Sequence, residues 1–298
     1  MGIKNFRKFI DPKMDNVTTQ ISFADGSKYI RTICIDINIF IYKFVTAIRR
    51  STGHDLTHDG RITSHIIGLR NQLAKFTELG IKVIYVFDGN APIEKSDVLA
   101  KRDNVKKYAI KKYEDGDTAY FNRTFSITPA IIHDAMTYLK LSGCAYVYVP
   151  TMEADIVCAT LVKKRYADCV LSTDYDILAY GARYLIINMD YKKKVFDIID
   201  LTRILKSLTI SYDQFVVMVA LSGCDYCEPS ANMTLNKAYK LVKDNPDFAT
   251  LLEPESPAAR AYTIFTSRIK FNKSIINHNK RNEKKLREFI ENIGLHKT

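Results

Sequence analysis

Five short runs dense in apolar and β-branched residues punctuate the chain, at residues 32–36, 82–88, 145–149, 168–173 and 184–188. Each is too short for a helix and reads as a buried strand. Between them, residues 62–79, 126–141 and 153–164 carry apolar positions near helical spacing. Continuous apolar strands alternating with helices predict an α/β fold, a mostly parallel central sheet covered by helices on both faces. Ligands of such sheets sit beyond the carboxyl ends of the strands.

Three stretches break the alternation. Residues 90–125 are polar and basic, with Lys95, Lys101, Arg102, Lys106, Lys107, Lys111, Lys112 and Arg123 interleaved with Tyr108, Tyr113, Tyr120 and Phe121. That is too long for an ordinary connection, which marks it as functional or mobile. Residues 211–244 read as helices around the loop Gly223-Cys224-Asp225-Tyr226-Cys227. From Ala261 onward nine Lys/Arg face three Glu, a basic and partly helical terminal segment. The regions expected are 1–90, an insertion at 91–130, 131–245 and a basic extension at 246–298.

Composition sharpens this picture. The 298 residues are 47% hydrophobic and 26% charged, enough for a sizeable core, and the formal net charge is +11. Such an excess favours nucleic acid or an anionic surface as partner. No apolar run approaches the length of a bilayer span, so no membrane partner is expected. The six cysteines, Cys34, Cys144, Cys158, Cys169, Cys224 and Cys227, mostly lie in apolar runs and read as small buried hydrophobes of a reducing, intracellular setting. Cys224 and Cys227 lack the second ligand pair that zinc would need.

Against this basic background, seven acidic residues stand where the apolar runs stop: Asp36, Asp88, Glu153, Asp155, Asp174, Asp176 and Asp225. Five have an ordinary explanation. Asp174 and Asp176 suit a turn or helix cap, Glu153 and Asp155 a first helical turn, and Asp88 a β-turn. Asp36, between Ile35 and Ile37, is hardest to explain locally. A carboxylate at the end of a buried strand is costly unless something positive neutralises it. Several gathered together form a site for hard divalent cations, and with no His or Cys in the set Mg²⁺ fits better than zinc. Two such ions can serve both ends of a phosphodiester displacement. The combination suggests an enzyme that cuts a polyanion.

The motifs Met1-Gly2-Ile3, Ile35-Asp36, Tyr85-Val86-Phe87-Asp88-Gly89, Glu153-Ala154-Asp155, Ser172-Thr173-Asp174-Tyr175-Asp176 and Leu221-Ser222-Gly223-Cys224-Asp225-Tyr226-Cys227 occur in that order. Over roughly residues 1–245 the chain resembles the flap endonuclease/XPG family of structure-specific 5′ nucleases, nearest the flap endonuclease branch because the spacer between its motif blocks is short. The resemblance implies one Mg²⁺ on Asp36, Asp88, Glu153 and Asp155 and a second on Asp174, Asp176 and Asp225, with Mn²⁺ able to substitute. It implies Tyr42 as a base-stacking residue, Arg49 as a DNA contact, and Lys95 and Arg102 as the cations that hold the scissile phosphate. Gly2 would lie near the active site, and Gly223 would belong to the DNA-binding loop. Residues 90–125, with Lys106, Lys107, Lys111, Lys112 and Arg123, would form a helical arch that a single-stranded 5′ flap threads.

The implied activity is 5′ flap endonuclease with 5′→3′ exonuclease action on flaps, nicks and ends, by a monomer in the nucleus or at a viral replication site. The chain departs from the family in three places. The Gly-x-Gly hairpin after Asp225 is replaced by the stretch from Pro229 to Ala238. Gln72 stands where an arginine is expected. No sliding-clamp motif is found. The chain is shorter than cellular members, which points to a large-DNA-virus branch. Alternatives are a bubble, junction or RNA preference, or a silent DNA-binding subunit. A haloacid-dehalogenase-like phosphatase is disfavoured because Asp36-Ile37-Asn38 is not Asp-x-Asp, and a PIN-type ribonuclease because it is usually shorter and lacks the arch.

The charge excess carries a direct test. DNA affinity should fall about 10³-fold or more between roughly 50 and 200 mM salt. A flat response would contradict a basic DNA-facing surface.

Overall fold

The computed structural model describes residues 3–230 and 232–295. Nine strands form in chain order: β1 (Thr19–Ser22), β2 (Thr32–Asp36), β3 (Thr57–His58), β4 (Arg61–Ile62), β5 (Lys82–Phe87), β6 (Ala145–Tyr148), β7 (Cys169–Leu171), β8 (Tyr184–Asp190) and β9 (Val195–Asp200). Seven build one sheet in the order β1-β9-β8-β7-β2-β5-β6, and β3 and β4 form a separate small hairpin. The block β8-β7-β2-β5-β6 is parallel, and it contains all five strands expected from the apolar runs. β1 and β9 add an antiparallel edge beside β8.

Alternation along the central strands shows why both faces need cover. Ile33, Ile35, Tyr85, Phe87 and Leu171 point into one core, while Cys34, Ile84, Val86 and Val170 point into the other. Successive side chains of a strand face opposite sides, so a run that is apolar throughout demands a helix layer on each. Helices Ile37–Thr52 and Ser64–Glu78 cover one face, with Pro129–Leu141 beside them. Ala154–Lys163 and Tyr212–Ser222, the latter buried from Phe215 to its end, belong to the other core. No single helix among the described residues is long and apolar enough to cross a membrane.

The topology places the acids. β2 lies between β7 and β5, with Ile35 opposite Leu171 and Asp36 opposite Val86. Parallel neighbours about 4.8 Å apart end on the same side of the sheet, so residues 36, 88 and 174 emerge together.

Residues 90–125 resolve into the turn Ile93–Lys95, the 19-residue helix Ser96–Glu114 and the turn Thr118–Arg123. The long helix buries only Ala109, the mark of an element that bridges rather than packs. The C-terminal part returns to the body: Asn277 bridges Tyr146 on edge strand β6, and helix Glu283–Asn292 buries Leu286.

Candidate active site

The acids are held by backbone and by one another's neighbours. Asp36 ends β2 and caps the next helix, its Oδ1 accepting from the Asn38 amide at 2.9 Å. Asp88 accepts the Ala154 amide on Oδ1 at 2.8 Å and the Asn38 side-chain amide on Oδ2 at 2.7 Å, so it ties three elements together. Glu153 stands at the N-cap of helix Ala154–Lys163, with Asp155 in its first turn. Asp174 accepts the Asp176 amide at 3.0 Å, and Asp176 opens the short helix Asp176–Ala179. Asp225 lies in the loop after helix Tyr212–Ser222. The capping explanations therefore hold locally, but the capped ends share one neighbourhood.

That neighbourhood is electrostatically costly. Asp36, Glu153, Asp174, Asp176 and Asp225 are all buried. Burial pushes the Asp36 carboxyl well above the usual range, and Asp88 and Asp174 add repulsion. Burial does the same to Asp155, with Asp174, Asp36 and Asp88 contributing, and to Asp176, with Asp174 and Asp225 contributing. Asp174 is raised by burial and by Asp225. Each of these acids is thus raised in part by acids of other sequence segments.

Two cations compensate it. Lys95, only 8% exposed at its side chain, donates to Glu153 Oε1 and lies 3.4 Å from Asp225 Oδ2. Burial alone would lower its pKa, but Glu153, Asp225 and Asp155 outweigh that and hold the ammonium above its ordinary value. Arg102 donates to Asp225 Oδ2 at 2.7 Å from a half-exposed side chain. Among the described residues, no three of these acids converge on one point at coordination distance. The donor set still suits a hard cation. Asp155 Oδ1 and Asp176 Oδ1 are buried with no hydrogen-bond partner among the described residues, and every donor is a carboxylate oxygen.

The remaining candidates divide. Tyr42 is 39% exposed; its hydroxyl donates to the Phe125 carbonyl at 2.8 Å, so its ring is held at the surface. Arg49 is buried and paired bidentately with Asp55 at 2.7 and 2.8 Å, donates to the Phe121 carbonyl at 2.6 Å, and lies over the Phe121 ring. Its guanidinium fastens the end of the 90–125 excursion to helix Ile37–Thr52.

Gly223 is also a structural requirement. Its φ is +87°, and a Cβ there would meet the Pro229 ring at 2.7 Å. Lys107 pairs with Asp103, and Lys112 and Arg123 lie beside the rings of Tyr108 and Tyr120. Lys106 is partly exposed and Lys111 exposed on the same helix. The aromatics expected to face a single strand pair internally, Tyr108 with Tyr120 and Tyr113 with Phe121. Gln72 is buried and accepts from the Tyr85 hydroxyl at 3.1 Å. Gly2 lies outside the described residues. All six cysteines are free thiols.

Sequence reasoning missed Asn38 and Tyr226. Asn38 sits one helical step past Asp36 and links it to Asp88, a position its spacing could have flagged. Tyr226 donates to Glu153 Oε2 at 2.8 Å across 73 residues of sequence, a contact with no local signal.

Comparisons with known proteins agree with this layout. Residues 1–109 match the XPG N-terminal domain and residues 143–225 the XPG I-region. Flap endonuclease 1 of Meyerozyma guilliermondii is 32% identical over 291 residues, covering 89% of this chain and 77% of that one. Flap endonuclease 1-B of Physcomitrium patens is 33% identical over 267 residues, covering 85% and 75%. The structure of flap endonuclease-1 from Methanococcus jannaschii superposes with a TM-score of 0.71 at 26% identity, covering 92% and 89%. The catalytic core of Rad2 in complex with DNA substrate shares the fold, with a TM-score of 0.69 at 19% identity over 98% and 95% of the two chains.

The raised acids predict a linkage. A carboxyl whose folded pKa lies above its unfolded value binds more protons when folded, so its contribution to stability falls as pH rises. With chelator present, Asp176→Asn should therefore raise the melting temperature, by about 2–4 °C per kcal/mol relieved. The gain should grow from about pH 5 to about pH 8. A thermal scan in which the substitution lowers stability at all pH values would show that Asp176 is not under electrostatic stress.

Proposed function

The chain belongs to the flap endonuclease/XPG family and is a structure-specific DNA nuclease, and from that footing we propose that it is a 5′ flap endonuclease with 5′→3′ exonuclease activity. It would act as a monomer in DNA replication, repair or recombination, in the nucleus or at a viral replication site. One arrangement carries this reading: Asp36, Asp88 and Asp174 follow the neighbouring parallel strands β2, β5 and β7, Glu153 and Asp155 stand at the start of helix Ala154–Lys163, and Lys95 and Arg102 bond Glu153 and Asp225. Asp36, Asp88, Glu153 and Asp155 would hold one Mg²⁺ and Asp174, Asp176 and Asp225 another, with Mn²⁺ as substitute. Bound there, such ions supply an activated water and offset charge on the leaving oxygen.

The protein's own groups do the positioning. Lys95 and Arg102 are fixed cations at the mouth of an acidic site, and they hold a phosphate where negative charge develops. Until a phosphate arrives, Glu153 and Asp225 occupy their donors. Tyr42 keeps an exposed ring one helical turn beyond Asn38, suited to stacking on a base. Lys4 and Arg7 line a cleft that reaches Thr173 and Asp225, which extends the positive border of the site. The exposed lysines of helix Ser96–Glu114 would follow a single-stranded backbone.

A panel of labelled flap, nicked, bubble, junction and RNA substrates tests the assignment. With Mg²⁺ the 5′ flap should be cut fastest and EDTA should stop the reaction. Metal-independent cutting, or preference for RNA, would refute the proposal. On the flap substrate, Lys95→Ala should slow single-turnover cleavage by about 10²-fold or more, as loss of a fixed transition-state donor does. Unchanged turnover would make Lys95 a purely structural counter-ion.

A further inference from the structure

Glu153 has both of its oxygens engaged by side chains. Lys95 occupies Oε1 and the Tyr226 hydroxyl donates to Oε2 at 2.8 Å. The Tyr226 hydroxyl also meets the Tyr180 hydroxyl, and both tyrosines are almost fully buried. An ionised carboxylate only accepts, and a phenol has a single proton to give. Tyr226 gives its one proton to Glu153, so the Tyr180 hydroxyl is the donor to Tyr226. The chain of hydroxyls therefore has one direction, ending on Glu153, and each bond polarises the next.

A third ring fixes the pair. Phe265, 1% exposed, packs 4.9 Å from the Tyr180 ring and 5.4 Å from the Tyr226 ring. It belongs to helix Pro257–Thr266, which lies beyond the segments matched by the family domains. The same helix packs against the turn Ile93–Lys95 and against helix Tyr212–Ser222. One C-terminal element thus braces both partners of Glu153, Lys95 through its turn and Tyr226 through its ring.

We propose that Tyr226, oriented by Tyr180 and clamped by Phe265, is a positioning residue that sets the carboxylate of Glu153 for divalent-ion binding, so that the C-terminal helix Pro257–Thr266 governs the rate of the site. The inference rests on the nuclease reading for its catalytic consequence but not for its binding consequence. A glutamate has several rotatable bonds, and one held by a buried hydroxyl needs no reordering when an ion arrives. Partners of this kind typically change metal affinity or activity by about 10- to 100-fold.

Tyr226→Phe removes one oxygen and keeps the ring against Phe265. Isothermal titration of the full-length, DNA-free variant with Mg²⁺ should show affinity weakened by about 10-fold or more. The single-turnover rate at saturating flap DNA should fall by a similar factor, with DNA affinity and melting temperature close to wild type. Tyr180→Phe should move both readouts the same way by less. Phe265→Ala should lower the rate, and Phe265→Leu should recover much of it. Wild-type Mg²⁺ affinity in both tyrosine variants would overturn the proposal. So would a loss confined to thermal stability. Should Tyr226→Phe fail to fold, Tyr180→Phe carries the same decision. A chain that binds Mg²⁺ in a Tyr226-dependent way yet cuts no flap would contradict the function and leave the positioning role standing.

Discussion

Burying several like charges at the ends of neighbouring strands is the constraint around which this molecule is arranged. Asp36, Asp174 and Asp176 are inside, next to one another, and burial opposes the charged form of each. Lys95 and Arg102 offset part of that cost from the first turn and the helix of the 90–125 excursion. The position of that excursion is therefore tied to the charge state of the acids. Anything that competes for Glu153 or Asp225, or for the two cations, pulls on the same element.

The fold makes the crowding affordable by giving the acids backbone donors. Asp36 and Asp88 take amides at the starts of helices Ile37–Thr52 and Ala154–Lys163. A helix N-terminus carries partial positive charge that favours an anion, so two helices direct their positive ends at the cluster. A single carboxylate thereby stops a strand, starts a helix and faces the site. Arg49 performs the complementary task at the far end of the first helix, where Asp55 and the Phe121 carbonyl saturate it. The far end of the excursion is anchored there, and its near end is anchored by Lys95.

Much of this was legible in the amino-acid sequence because strand ends are local events. The runs through Ile35 and Phe87 stop at acids, and a parallel sheet brings such stops together. β1 escaped notice because Thr-Gln-Ile-Ser is mostly polar, as a half-buried edge strand is, and β9 because two aspartates interrupt Val-Phe-Asp-Ile-Ile-Asp. The anchoring role of Arg49 was not legible because it depends on a carbonyl 72 residues away. The ring contacts of Tyr108 and Tyr113 were not legible either, because the turn Thr118–Arg123 folds back to supply them while leaving both rings exposed. Tyr226 stands in the motif around Asp225, but nothing local in that motif shows that its hydroxyl meets Glu153 across the core.

The central claim is that these acids jointly seat two divalent ions. Anomalous diffraction from crystals of the protein grown with Mn²⁺ and an uncut flap substrate tests it most directly. The account predicts two peaks about 3.5–4 Å apart, one bordered by Asp36, Asp88, Glu153 and Asp155 and one by Asp174, Asp176 and Asp225. Manganese bound elsewhere, or an empty cluster at a concentration that supports cleavage, would contradict it.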